Sequence, residues 1–388
     1  MSPKRIKKIL KYRLSHPRIL VVRNDGLGDF IHSLPFIASL RKQLPSARIY
    51  VLIHRNNQKL IPMLPQIDGS ILDDGVLLKR HIQNMPKKEL RIKRRELLEE
   101  IKAYRFDAAI FLYAEKESAK LIAKAGIPIR VGSFRRLWFY RFNAWNFDSR
   151  KYSDLPEYML NIHYLSVLGL RPRFEFPKVE IPEPVETTFP ETKKTKGKKK
   201  VTSKSRKKKQ NKFVLIHPIK RNQTALSWPE KYFRKLIRDL IRKNKKIILI
   251  GDSADEKAIK KFSRSFKTEE KNHIETKTNL SFFELARLMK QSEIFIGNSS
   301  GPLQLAGLLQ VPHIGFYPKN HVSSIYRWRT LEFQPQPELE SFLLQPNVDK
   351  DCIVCLKEKC EFFNCMEKIP VDKALQAMQE WEKFKSLP

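Results

Sequence analysis

Short β-branched runs that end in small-residue turns and give way to helical periodicity recur in both halves of this chain. That alternation leaves few folds open beyond doubly wound parallel sheets. Arg18-Ile19-Leu20-Val21-Val22-Arg23 is such a run, and Asn24-Asp25-Gly26-Leu27-Gly28-Asp29 turns after it. Ile31, Leu34, Ile37, Ala38 and Leu40 follow at helical spacing, with Pro35 near the helix start, where a missing N–H is tolerated. Further strands are expected at 48–53, 108–112 and 129–132, with helices around 88–104 and 117–125, the last ending at Gly126 as a C-cap.

The same pattern restarts at Phe213-Val214-Leu215-Ile216-His217. Ser227 with Glu230 three residues on reads as a capping box opening a helix that carries Tyr232, Phe233, Leu236, Ile237 and Leu240. Strands follow at 246–251, 292–297 and 312–317, and helices around 280–285 and 303–309. Between the halves the tract 193–212 holds twelve Lys or Arg and no acid, so it has no apolar surface to offset the cost of ordering and reads as a disordered insert. Two doubly wound units in tandem place a cleft between them, lined by the carboxyl ends of their strands.

Two loops carry residues suited to chemistry. Asn298-Ser299-Ser300-Gly301-Pro302-Leu303 lies between a strand and a helix. Its small residues permit close backbone approach, and a helix N-terminus offers free N–H groups to a phosphate. Ser-Gly-Pro is also ordinary turn chemistry. In the first loop Asp29 suits either a general base raised by burial or a cap of the following helix.

Together these segments resemble glycosyltransferase family 9, which contains the ADP-heptose:lipopolysaccharide heptosyltransferases. The resemblance rests on residues 18–52, on HPIKRNQTALSWPEKYFRKLI, on IILIGDSADEKAI and on the segment around GNSSGPLQLAGL, in the family's order and spacing. It implies a GT-B fold of two Rossmann-like domains facing a cleft. The expected division is an acceptor-side domain 1–185, the Lys-rich insert 186–212, a nucleotide-sugar domain 213–345, and a Cys-containing tail 346–388 with a terminal helix. The implied activity is inverting transfer of heptose from ADP-heptose to a lipopolysaccharide core, with no required cofactor.

By the same resemblance Asp29 is the base. Ser299, Ser300, Gly301, Leu303 and Gln304 hold the donor with His217, Lys220, Arg221 and an acid after the Ile-Leu-Ile-Gly strand, Asp255 or, as the choice made here, Glu256. Gly28 and His32 face the acceptor. Many members carry Asp-Ser-Gly-Pro-x-His in the phosphate loop, where this chain has Ser299 and Gln304, and a Lys two residues before Trp-Pro, where it has Leu226. These departures admit another nucleotide sugar, or a decayed homologue acting as a polyanion-binding scaffold.

The chain has 388 residues with 76 Lys or Arg against 41 Asp or Glu, a formal charge of +35 that favours polyanionic partners. An anionic membrane surface and a lipid-linked saccharide acceptor fit this charge within the family reading, and nucleic acid fits it less well. The mixed segment Ser133-Phe134-Arg135-Arg136-Leu137-Trp138-Phe139-Tyr140-Arg141-Phe142 reads as an interfacial anchor, an anionic-saccharide site, or a buried hairpin with outward arginines. No long uncharged apolar run suggests a spanning helix, and residues 1–14 do not read as a secretory signal, so a cytoplasmic protein peripheral to the inner membrane is expected. Cys352, Cys355, Cys360 and Cys365 fit a structural metal knuckle or structural thiols, the single C-x2-C pair favouring thiols.

Overall fold

The computed structural model describes the chain except residues 80–81, 83–84, 151–152, 184–212, 220–225, 332–341, 349–351, 353–354, 357–358, 363 and 387–388. The Lys-rich tract and the candidate phosphate ligands Lys220 and Arg221 therefore lie outside the described residues.

The first half forms β1 (Arg18–Val22), β2 (Arg48–His54), β3 (Gly69–Asp73), β4 (Ala108–Phe111), β5 (Ile129–Ser133) and β6 (Ala144–Asn146), all parallel, in the order β3-β2-β1-β4-β5-β6. The second half forms β7 (Phe213–His217), β8 (Lys246–Gly251), β9 (Ile274–Thr278), β10 (Ile294–Asn298), β11 (His313–Phe316) and β12 (Leu343–Leu344), in the order β12-β11-β10-β7-β8-β9. Each sheet is thus wound outward from a central pair, β1 with β4 and β7 with β10. In open sheets of this winding, ligands bind beyond the carboxyl ends of the strands where the winding reverses. The loops after β1 and β10, singled out from sequence, leave from those points.

Burial on both faces explains the continuous apolar strands. Along β1, Ile19 and Val21 join one core cluster while Leu20 and Val22 join another, as the period of two requires. Along β8, Ile247 and Leu249 pack on the far face with Trp228, and Ile248 and Ile250 on the near face. One apolar cluster runs from Ile19 and Val21 through Phe30 and Leu34 to Leu303, Leu305 and Leu215, so the two halves share a core across the cleft.

Several elements differ from the sequence expectation. The first helical segment is two helices, Leu27–Ile31 and Leu34–Gln43, with Pro35 in the first turn of the second. The helix Glu230–Arg242 starts from Pro229 at its N-cap rather than from Ser227, and a capping box joins Ser281 and Glu284 at the start of the helix Phe282–Gln291. Gly126 takes the expected left-handed conformation at φ 76°. The 346–388 segment is no detached tail: Met366, Ile369, Val371, Ala374 and Met378 complete the core under Trp228 and Phe233, and Trp228 Nε1 donates to Ile369 O at 2.8 Å.

Candidate active site

The loop after β1 is organised around one buried guanidinium. Arg23, 2% exposed, donates from Nε to Asp25 Oδ1 at 2.9 Å, from Nη2 to Asp29 Oδ1 at 3.0 Å and from Nη1 to Glu157 Oε1 at 2.8 Å. Arg23 is planar and permanently charged, so one side chain fixes three carboxylates at set angles. Glu157 is 1% exposed; its Oε1 also accepts from Arg150 Nε at 3.0 Å, and its Oε2 is ion-paired with Arg327 Nη2 at 2.5 Å. Arg327 comes from the second domain, so this cluster ties the halves together. Three guanidiniums face three carboxylates, and the arginines hold Glu157 well below the usual carboxylate range against the opposing effect of its burial.

Asp29 sits in the first turn of the helix Leu27–Ile31, and its Oδ2 accepts the Gly26 N–H at 3.2 Å. It therefore serves the helix start from the third helical position, not as the N-cap, which is Gly26. One carboxylate oxygen meets Arg23 and the other meets the backbone, an arrangement that fixes the side chain's orientation. Asp25 is nearly enclosed. Burial pushes its carboxyl up to about 7; the Arg23 charge opposes the rise and the neighbouring Asp29 carboxylate adds to it.

His32 and Gln304 close the gap between the domains. His32 Nε2 and Gln304 Oε1 are 2.8 Å apart, and Gln304 Nε2 donates to Trp328 O at 2.8 Å. Gln304 spends its donor on Trp328, so its oxygen must accept, which makes His32 Nε2 the protonated nitrogen. Burial pulls His32 down to about 4, so the ring is neutral at physiological pH. His32 and Gln304 thus bond to each other across the interface, and neither presents its bonded atoms to an acceptor or donor. Close approach of the two helix starts also explains two glycines. A Cβ on Gly28 would lie 3.2 Å from Gln304 Cγ, and one on Gly301 would lie 3.1 Å from Leu27 Cδ2.

The loop after β10 faces a cavity of about 270 Å³ lined by His217, Ile219, Ile250, Gly251, Asp255 and Ser300, with Asp252, Leu280, Leu285 and Pro302 completing the wall. Strand ends of β7, β8 and β10 supply the polar groups and helix 282–291 supplies an apolar wall, the usual composition of a small-molecule site. The first intrahelical bond of the helix Gly301–Leu308 runs from Gln304 N to Ser300 O at 3.1 Å. The N–H groups of Gly301 and Leu303 precede it and belong to the set a helix start leaves for a ligand. Ser300 Oγ and His217 Nδ1 are buried without a hydrogen-bond partner among the described residues. The Ser299 N–H does not serve a ligand, because it donates to Phe316 O at 2.9 Å and extends the sheet ladder. Leu303 contributes backbone only; its side chain is buried in the shared core.

Glu256 corrects the sequence reading. Its carboxylate pairs with Lys260 Nζ at 2.5 Å on the helix Glu256–Arg264 and does not line the cavity. Asp255, one residue earlier, is 5% exposed and stands 4.0 Å from His217 Nε2 at the cavity wall. The helix turns about 100° per residue, so a one-residue shift exchanges the cleft side for the solvent side. Glu157, Arg150 and Arg327 went unnoticed in the sequence because each stands alone among ordinary helix and loop residues; Arg23 and Asp25 at least flank the glycine turn.

No disulfide joins Cys352, Cys355, Cys360 and Cys365. Burial raises Cys365, and the nearness of Cys355, Cys352 and Cys360 adds to the rise. Among the described residues no three His, Cys, Asp or Glu side chains are arranged to hold a metal ion. No helix among those residues is long and apolar enough to cross a membrane.

Comparison with known proteins points to one family. A family model described as glycosyltransferase family 9 (heptosyltransferase) matches residues 94–332. A putative glycosyltransferase of Haemophilus influenzae is 25% identical over 370 residues, 92% of this chain and 94% of that protein. Lipopolysaccharide heptosyltransferase 2 of Escherichia coli is 22% identical over 314 residues, covering 77% of this chain and 82% of that protein. The solved structure of E. coli ADP-heptose lps heptosyltransferase II superimposes with a TM-score of 0.69 at 15% identity, over 95% of this chain and all (100%) of that one.

Proposed function

Since the chain belongs to glycosyltransferase family 9 and is a glycosyltransferase with the two-sheet GT-B architecture of its relatives, we propose that it transfers heptose from ADP-heptose to a lipopolysaccharide core acceptor. The observation that carries this reading is the meeting of two loops at the cleft. The Asp29 helix start and the Ser300–Gly301 helix start pack directly together, Gly28 against Gln304 and Gly301 against Leu27. This packing supports reading Asp29 as the base and the Ser300–Gly301 helix start as the diphosphate cradle of one site.

The step is a single displacement. Asp29 takes the proton of the acceptor hydroxyl, and that oxygen attacks the anomeric carbon. The bond to the diphosphate breaks with its electron pair, and ADP leaves. The Gly301 and Leu303 N–H groups and the Ser300 hydroxyl receive the developing charge, a task for which preorganised donors suit well. Asp255 and His217 bind the nucleoside side of the donor. No metal or cofactor enters the step. Enzyme acting on a lipid-linked saccharide works at the inner membrane face, consistent with its positive charge.

A thermal-shift panel of ADP, UDP, GDP, CDP and their sugar conjugates tests the donor, because a ligand of the native state raises its stability. ADP and ADP-heptose should raise the melting temperature selectively. A larger shift with another nucleotide would replace the donor, and no shift with any would remove the proposed nucleotide-sugar site.

Two variants probe the roles. Asp255→Ala removes a hydrogen-bond partner of the nucleoside and should weaken ADP binding tenfold or more, by about 1.5–3 kcal/mol in calorimetry; an unchanged Kd would move the nucleoside elsewhere. Asp25, poised at about 7, links transfer to pH. Below that pH Asp25 is protonated and the cluster holds one negative charge fewer to attract the acceptor's proton. The transfer rate should therefore rise as pH increases through about 7, and Asp25→Asn should flatten that limb. A limb unchanged in Asp25→Asn would assign it to another group.

A further inference from the structure

We infer that the arginine-rich aromatic segment between β5 and β6 docks the protein on an anionic lipid bilayer beside the mouth of the cleft. The segment is built rather than loose. Phe142 is buried against Phe111 with ring centroids 5.0 Å apart, Trp145 Nε1 donates to Phe139 O at 3.1 Å, and Arg130 Nε donates to Arg141 O at 2.8 Å. These anchors hold the intervening side chains outward. Leu137 is 90% exposed, Tyr140 62% and Phe147 61%, with Phe134 bridging Phe139 and Phe147 at centroid distances of 4.8 and 5.1 Å. A contiguous group of large apolar side chains in water marks an interaction surface.

The charges select the partner. Arg135, Arg136 and Arg141 stand among these apolar tips: Arg135 Nε donates to Phe147 O at 2.8 Å, Arg136 lies 5.8 Å from the Trp138 ring centroid and Arg141 5.0 Å from that of Tyr140, and no carboxylate forms an ion pair with any of the three among the described residues. Unneutralised guanidiniums interleaved with aromatic and aliphatic tips match a headgroup layer, where phosphates meet the cations and acyl chains meet the rings. A protein partner would need carboxylates at matching positions, whereas a bilayer of acidic lipid offers phosphates to these guanidiniums without shape complementarity.

Position gives the surface its use. Strands of a parallel sheet all point one way, so Phe134 after β5 and Phe147 after β6 lie at the same edge as the Asp29 loop after β1. Arg136 stands 5.3 Å from the centroid of the Tyr113 ring, and Arg23 stands 5.8 Å from that same centroid. One aromatic ring therefore separates the docking surface from the guanidinium that holds Asp29. A saccharide carried on a lipid would reach the cleft from the bilayer without leaving it. That purpose rests on the transferase reading; the docking itself does not.

Co-sedimentation of the full chain with phosphatidylcholine vesicles, with and without phosphatidylglycerol, tests the inference at low and high salt. The wild type should sediment with the acidic vesicles and only weakly with neutral ones, and salt should reduce the binding without abolishing it. The double variant Leu137→Glu, Tyr140→Glu should partition at least ~10-fold less, since two apolar contacts are lost and two repulsive charges gained. Leu137→Ser alone, a milder change at an exposed position, should fall between them. Melting curves and the ADP-induced shift should match wild type in both. If the double variant sediments like wild type, the basic charge elsewhere in the chain does the binding and the inference fails. Patch-dependent sedimentation without any nucleotide shift would instead leave the docking surface standing and remove the proposed donor site.

Discussion

Asp29→Asn should lower the transfer rate by about 10²–10⁴-fold, the range that general-base catalysis contributes, while ADP binding stays within a factor of two or so of wild type. Asparagine keeps an oxygen for Arg23 or Gly26, so the helix start and the loop retain their form. It cannot take a proton. On the proposed reading the donor is held at the other wall of the cleft, in the cavity lined by Ser300 and Asp255, and has no contact to lose. Steady-state kinetics with calorimetry on the same preparation separates the two effects. A normal rate in the variant would take the base away from Asp29, and Asp25, bonded to the same guanidinium, would be the next residue to replace.

Glu157→Gln should be the most destabilising single change in the site. Glu157 receives Arg23, Arg150 and Arg327 in a position with 1% exposure. Removing its charge leaves three guanidiniums facing two carboxylates in a low-dielectric environment, and breaking a buried pair from one side costs about 3–5 kcal/mol. Such a loss lowers the melting temperature by roughly 10 °C in a domain of this size. The pH dependence gives a second signature. Because Glu157 is held below its ordinary range in the folded protein, its contribution is complete above the ordinary carboxylate pKa and is lost as acid protonates it. Wild type and variant should therefore differ most at neutral pH and converge toward acid. A constant difference across pH would mean that packing, not charge, holds the residue.

The fold was legible wherever a strand is buried on both faces. Residues 19–22 and 247–250 are all apolar because two core clusters claim alternate side chains along each strand, and an uninterrupted apolar run of that length is hard to read otherwise. Edge strands are different. Gly69–Asp73 opens on Gly-Ser, and Ile274–Thr278 carries Glu275 and Lys277 on an exposed edge. Leu343–Leu344 is two residues long, too short for periodicity to register.

The candidate site was legible where its chemistry follows the chain. Asp29 and the Ser300–Gly301 turn each sit within a local motif at a strand's end. What sequence could not supply was the third dimension. Glu157 meets Arg23 across 134 positions of chain, and nothing in its neighbourhood marks it. The choice between Asp255 and Glu256 depends on the phase of one helical turn, which motif spacing leaves open. Gln304, read as a donor contact, turned out to face His32 across the domain interface, a pairing that no local pattern encodes.

The anomeric configuration of the transfer product tests the central claim most directly. With ADP-heptose and a heptose-deficient lipopolysaccharide core, the one-bond carbon–proton coupling at the new anomeric centre reports whether the sugar kept or reversed its configuration. Inversion is expected, because one base and one departing diphosphate on opposite walls of the cleft permit a single displacement. Retention would contradict it, requiring a second displacement that Asp29, acting only as a base, does not provide.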